Sequence, residues 1–135
     1  MNPTIAKLRD VMNTHDADAM AALFAPDYRS EQPAHPNRKF DGHAQVAKNW
    51  SQLFSAIPDL VVEVVAESTN GATAWAEWRW TGHYTDGSVH ETRGVTIMGL
   101  TENGLIAEQR LYMEPVERDG AAIDEVVQQI VKPTR

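Results

Sequence analysis

A chain of 135 residues fits one domain and buries roughly two-thirds of the surface that its unfolded form exposes. With 42% hydrophobic residues, 23% charged residues and four tryptophans, it has the composition of an ordinary globular protein, which excludes disorder. A formal charge of −7 disfavours nucleic acid phosphates as partners, and the absence of cysteine excludes disulfides, thiol catalysis and cysteine metal sites.

The opening Met-Asn-Pro-Thr-Ile-Ala-Lys lacks the apolar run of a signal peptide, and no segment approaches the ~20 apolar residues that span a bilayer. A cytoplasmic protein with no membrane partner is expected. Ile5, Leu8, Val11 and Met12 recur at helical spacing until Asn13-Thr14-His15-Asp16 breaks the pattern. Asp16 then caps a second short helix carrying Ala19, Met20, Leu23 and Phe24, with Pro26 as its stop. Tyr28 to Gln32 reads as a short strand, and Pro33, Pro36, Asn37 and Arg38-Lys39 make an exposed loop to Asp41-Gly42. From His43 a third helix sets Val46, Ala47, Trp50, Leu53, Phe54 and Ile57 on one stripe before Pro58.

From Leu60 to about Pro115 the chain alternates as β-structure does. The runs Leu60 to Glu67, Ala72 to Tyr84, Val89 to Leu100 and Leu105 to Met113 are separated by Asn70-Gly71, Asp86-Gly87 and Asn103-Gly104. These dipeptides are hairpin signals, so an antiparallel meander of long strands is expected. Ile123, Val126, Val127, Ile130 and Val131 predict a final amphipathic helix ended by Pro133. The whole, residues 1–135, reads as a single α+β domain in which helices cover one face of a curved antiparallel sheet and enclose a pocket.

The run Asn13-Thr14-His15-Asp16 through Leu23-Phe24-Ala25-Pro26-Asp27-Tyr28 resembles the opening of nuclear transport factor 2-like domains. Downstream, Asp41-Gly42, Trp50, Phe54, Pro58-Asp59-Leu60, Thr81-Gly82-His83 and Asn103-Gly104-Leu105-Ile106-Ala107-Glu108 resemble the SnoaL-like polyketide cyclases of that superfamily. The resemblance covers about residues 3 to 115. It implies a cone-shaped fold, sheet-to-sheet homodimers and a pocket for a small apolar ligand.

Fold does not fix function in this superfamily, so each known catalytic set is matched residue by residue. Ketosteroid isomerases of similar fold use a tyrosine in the first helix, an aspartate before a proline in the first strand and a second acid on a later strand. Leu8, Gln32 and Thr96 stand at those positions here. Limonene-epoxide-hydrolase relatives need an arginine and an aspartate two apart on a central strand and a carboxylate on the last; the corresponding residues are Trp78, Trp80 and Leu111. Neither set is present. SnoaL-like cyclases place an acidic residue near the end of the last strand in an aromatic segment, and Tyr112-Met113-Glu114 occupies that place.

Glu114 is therefore the candidate catalytic residue. A carboxyl among apolar groups is pushed upward in pKa and can move a proton near neutral pH. The plain structural alternative is a solvated strand end. Gln109, Leu111 and Met113 point opposite to Arg110, Tyr112 and Glu114, and only one set lines a cavity unless a bulge intervenes. Trp78 and Trp80 share a face with Ala76 and Gly82, as walls for a flat ring-containing ligand or as core packing. Trp50, Tyr112, Glu31, Gln32 and His35 complete the candidate ligand-binding set, His35 from a loop at the pocket mouth. Trp75, Glu77 and Arg79 fall on the other face, suited to a subunit contact. The five histidines offer no His-x-x-x-His pair, and neither a metal nor another cofactor is expected. Three readings stay open: a cofactor-free cyclase or isomerase, a non-catalytic binder of an apolar metabolite, and a dimerisation module with a vestigial cavity.

Overall fold

The computed structural model describes residues 1–132; Pro133, the expected stop of the last helix, lies outside them. Two short helices open the chain, α1 (Pro3–Met12) and α2 (Ala17–Ala21). The Asn2 side chain accepts hydrogen bonds from the Thr4 and Ile5 amides, and Asp16 accepts one from Ala19, so both helices start on the residue types that favour N-caps. Strand β1 (Phe24–Glu31), a 3-10 turn at Pro36–Arg38, the two-residue strand β2 (Phe40–Asp41) and helix α3 (His43–Ala56) follow. Four long strands come next: β3 (Val61–Asn70), β4 (Thr73–His83), β5 (Val89–Leu100) and β6 (Ile106–Pro115).

The four long strands form the expected antiparallel meander, joined through Asn70-Gly71, Asp86-Gly87 and the Asn103-Gly104 turn. The six strands make one curved, unclosed sheet in the order β2-β1-β6-β5-β4-β3. Register shifts between Val64 and Ala66 on β3, and between Gly99 and Leu100 on β5, add local bends of the kind that curl a sheet. Strand β1 joins β6 in parallel, the chain between them running through β2, α3 and the other three strands of the meander.

Helical spacing misreads one place. Leu23 falls in the turn after α2 and Phe24 begins β1: the Ile106 amide donates to the Leu23 carbonyl (3.0 Å), and Phe24 pairs with Ile106 while its ring is buried. Tertiary pairing overrides local periodicity there. Pro26 then stops no helix; it sits inside β1, where the ladder to β6 is interrupted between Phe24 and Arg29 and no amide is needed.

Ile5, Leu8, Met12, Met20, Val46 and Phe54 from the helices pack on Val62, Ala74, Ala76, Trp78, Met98 and Ile106 of the concave sheet face. Asn13 locks the helices to the sheet edge as a strand residue would. Its side chain donates to the Val62 carbonyl (3.1 Å) and accepts from the Val62 amide (2.9 Å). His15 stacks on Phe54 with ring centroids 4.8 Å apart, and its Nε2 meets the Leu60 carbonyl at 2.7 Å. The last helix, α4 (Ile123–Val131), forms as the spacing predicts, but none of its residues is buried. No described helix is long and apolar enough to cross a membrane.

Candidate functional site

Between the helices and the concave sheet face lies a cavity of about 300 Å³. Strand parity decides who lines it. On β4, Trp78 and Trp80 face inward; across from them on β5 stand Gly94 and Thr92, and beyond those on β6 Met113 and Pro115. Leu8, Met12, Met20, Phe24, Leu53 and Ile57 supply apolar wall from the helical side.

Two polar clusters interrupt that wall. At the buried end, Gln109 Nε2 donates to Tyr28 Oη (2.9 Å), which also bonds Ser30, and Trp78 Nε1 donates to Thr96 Oγ1 (2.9 Å). Burial holds the Tyr28 phenol above its ordinary pKa, the bonds to Ser30 and Gln109 opposing this only in part, so it is neutral at physiological pH. Nearer the rim, Arg38 Nη1 donates to Gln32 Oε1 (3.0 Å), and His90 lies beside Thr92. Burial holds the His90 imidazole below the usual histidine value. Trp80 Nε1 is buried without a hydrogen-bond partner, the rest of its indole packing edge-on to Trp50 with centroids 5.1 Å apart. No aspartate, glutamate or lysine stands in this lining, and among the described residues no cluster of histidine and carboxylate has the makings of a metal site.

Of the residues singled out in the sequence, Trp78, Trp80, Trp50 and Gln32 line the cavity. Glu114, Tyr112, Glu31 and His35 do not. On β6, Gln109, Leu111 and Met113 take the inward positions, so Tyr112 and Glu114 project from the outer face. There Glu114 Oε1 meets His35 Nε2 at 2.6 Å, and both side chains are open to solvent. Glu31 follows inward-facing Ser30 on β1 and points away for the same reason. Tyr28, Arg38, His90, Thr92, Thr96 and Gln109 were not recognised from sequence. For His90 and Thr92 a signal existed: the Asp86-Gly87 hairpin pairs Gly82 with His90 and Trp80 with Thr92, which puts both on the tryptophan face.

The model of the SnoaL-like domain family matches residues 5–109. The chain belongs to the SnoaL-like family. Solved structures share its fold. One assigned as a SnoaL-like polyketide cyclase, from Jannaschia sp. CCS1, is 22% identical with a TM-score of 0.68, over 97% of this chain and 91% of that one. The epoxide hydrolase/cyclase-like enzyme SalBIII, which acts in pyran ring formation in the polyether salinomycin, is 17% identical with a TM-score of 0.72, over 82% and 88% of the two chains. A protein of ketosteroid isomerase-like fold from Catenulispora acidiphila, solved with trimethylamine, is 16% identical with a TM-score of 0.72, over 83% and 85%. No curated protein sequence matches. In this SnoaL-like domain the curved sheet and the helices place the cavity.

Proposed function

We propose that this SnoaL-like domain binds one small, neutral, largely apolar molecule, ring-containing and carrying an oxygen acceptor, and that it acts on it as a cofactor-free cyclase or isomerase. The observation that carries this reading is the lining itself: aromatic and aliphatic walls with a few hydroxyl and amide groups, and no carboxylate or lysine. A ligand anion or ammonium would be stripped of water there without a compensating charge, except at Arg38 on the rim. The unpartnered Trp80 N–H gives a ligand oxygen something to satisfy. A second reading, a domain that holds the molecule without changing it, is favoured by the distance of every acidic side chain from the lining.

Tryptophan fluorescence tests the pocket. Titration with a panel of neutral ring compounds is expected to quench emission, because Trp50, Trp78 and Trp80 all line the cavity. Trp80→Ala is expected to weaken the best binder by about 2 kcal/mol, roughly thirtyfold. Retention of full affinity in Trp80→Ala would remove that wall from the site.

The same proposal takes the protein as a homodimer through the outer face of the sheet. Trp75 and Tyr112, 43% and 44% exposed, stand there with Val61 and Val65, apolar side chains that a second copy would cover. Light scattering at micromolar concentration is expected to give twice the 15.0 kDa chain mass. A monomer mass would count against the contact.

A further inference from the structure

His90 opens the inward face of β5, directly opposite Gly82 at the end of β4, where Ile57, Asp59 and Leu60 close against the glycine. Its two nitrogens meet different surroundings. Nδ1 lies 2.9 Å from Tyr84 Oη, and the Tyr84 ring, exposed to solvent, stands edge-on to the imidazole at 5.4 Å. Nε2 points the other way, 3.2 Å from the hydroxyl of buried Thr92 in the cavity wall. The ring thus bridges solvent and cavity, with Nε2 on the cavity side.

The charged groups around it are engaged elsewhere. Glu91, the next residue, turns outward to Arg79 and Arg118; Asp59 bonds His83; Arg38 lies across the rim on Gln32. Among the described residues no carboxylate bonds the imidazole, and burial favours its neutral form. His90 is also the one group in the lining whose ordinary pKa lies near neutrality, since the others that titrate are a buried phenol and a guanidinium.

We propose that His90 is the catalytic base of this cavity, its Nε2 taking a proton from the carbon next to a carbonyl of a neutral ligand while Tyr84 Oη accepts the hydrogen bond of Nδ1–H. This rests on the reading that the cavity binds such a ligand. In the step, the proton passes to Nε2, the C–H electron pair becomes a carbon–carbon double bond, and the carbonyl π pair moves onto oxygen to give an enolate. Trp80 Nε1–H, otherwise without a partner, donates to that oxygen. The imidazolium then returns the proton to another carbon of a conjugated enolate, which shifts a double bond. Where the enolate carbon closes on a second carbonyl, the imidazolium protonates the new alkoxide instead. Neither route needs an oxidant or a reductant. Because imidazole is a weak base, the substrate class is narrowed to carbonyl compounds whose proton is further acidified by a second carbonyl or by conjugation. Tyr84 is a positioning residue that fixes the tautomer.

The probe is ethyl 2-oxocyclohexanecarboxylate, a neutral ring with one doubly activated proton, whose exchange in deuterated water is followed by NMR while binding is read from tryptophan quenching. Wild type is expected to accelerate exchange with a rate that rises through a midpoint below the ordinary histidine value of about 6.5 and is level above it, as the free base requires. His90→Gln is expected to lower the catalysed rate ~10² to 10⁴-fold with affinity changed less than about threefold. Added imidazole is expected to restore part of the rate to His90→Ala, which separates lost chemistry from lost folding. Tyr84→Phe is expected to move the midpoint further down, since an acceptor at Nδ1–H favours the imidazolium. Glu114→Gln, altered on the outer face, is expected to exchange at the wild-type rate. Wild-type exchange in His90→Gln, or binding of the probe by wild type without acceleration, overturns the role of His90 and leaves the pocket reading standing. Failure of wild type to bind the probe or any other neutral ring compound overturns both.

Discussion

Gly94→Ala is expected to destabilise the fold by about 3 kcal/mol and to lower the melting temperature by roughly 10 °C, although it adds a single methyl group. A Cβ at this position would lie 1.9 Å from the Tyr112 carbonyl oxygen and 2.7 Å from the Met113 Cα. Both are backbone atoms of β6, so no rotamer change relieves the overlap; strands β5 and β6 must separate where Gly94 pairs with Met113. The damage falls on the cavity wall, because Gly94 stands between inward-facing Thr92 and Thr96 and opposite Trp78. Gly99→Ala is the comparison. Its Cβ would meet the Glu108 side chain, first at Cγ, 2.8 Å away, and that exposed flexible chain can swing aside. A loss below about 1 kcal/mol is expected there. Urea unfolding of both variants decides the matter, and equal losses would show that strand proximity at Gly94 does not limit the fold.

Trp78→Ala is expected to cost still more, about 3 to 5 kcal/mol, by emptying the largest fully buried side chain in the core. The indole is 1% exposed and packs against the helical layer and the inner sheet face. Its N–H also satisfies Thr96 Oγ1, itself buried, so truncation leaves a hydroxyl without that partner. Trp78→Phe keeps most of the apolar surface and removes the donor; a loss of about 1 to 2 kcal/mol is expected. Chemical denaturation of the pair separates the two contributions. If Trp78→Phe is as damaging as Trp78→Ala, the hydrogen bond to Thr96 outweighs the ring. Trp78 thus serves as core and as cavity wall at once, whereas Trp80, partly open and lacking a polar partner, is the better probe of ligand affinity alone.

The helices and the long strands were legible because they depend on local chemistry, whereas β2 (Phe40–Asp41) lies in the stretch expected to be an exposed loop. Asp16 carries a capping oxygen, Asp86-Gly87 and Asn70-Gly71 close tight turns, and alternation over ten or more residues marks a half-buried strand. The family was legible for the same reason, since its motifs lie at those turns and caps. Phe24 was not, because a residue spaced for a helix and equally apt for a strand is assigned by its partner, here Ile106, 82 positions later in the chain. Apolar spacing likewise predicted α4 but not what it packs on; Ile123, Val126, Val127, Ile130 and Val131 all remain exposed.

The site divides along the same line. Trp78 and Trp80 were found because two residues apart on one strand means one face, a fact of the single chain. Whether that face was the cavity, and whether Glu114 shared it, depended on how β6 registers against β5. Tyr112 pairs with Val95 and Met113 with Gly94, and this register turns Met113 inward and Glu114 outward. A shift of one residue would have reversed both. Tyr28 and Gln109 lie far apart in sequence and meet only because β1 runs parallel to β6. His90 owes its place to the hairpin that sets it opposite Gly82, and its environment to burial against walls drawn from every layer of the domain. By itself the sequence determined most of the elements, their turns and the family, since these rest on neighbouring residues; which polar groups face the cavity was decided by strand register, which exists only once the sheet has formed.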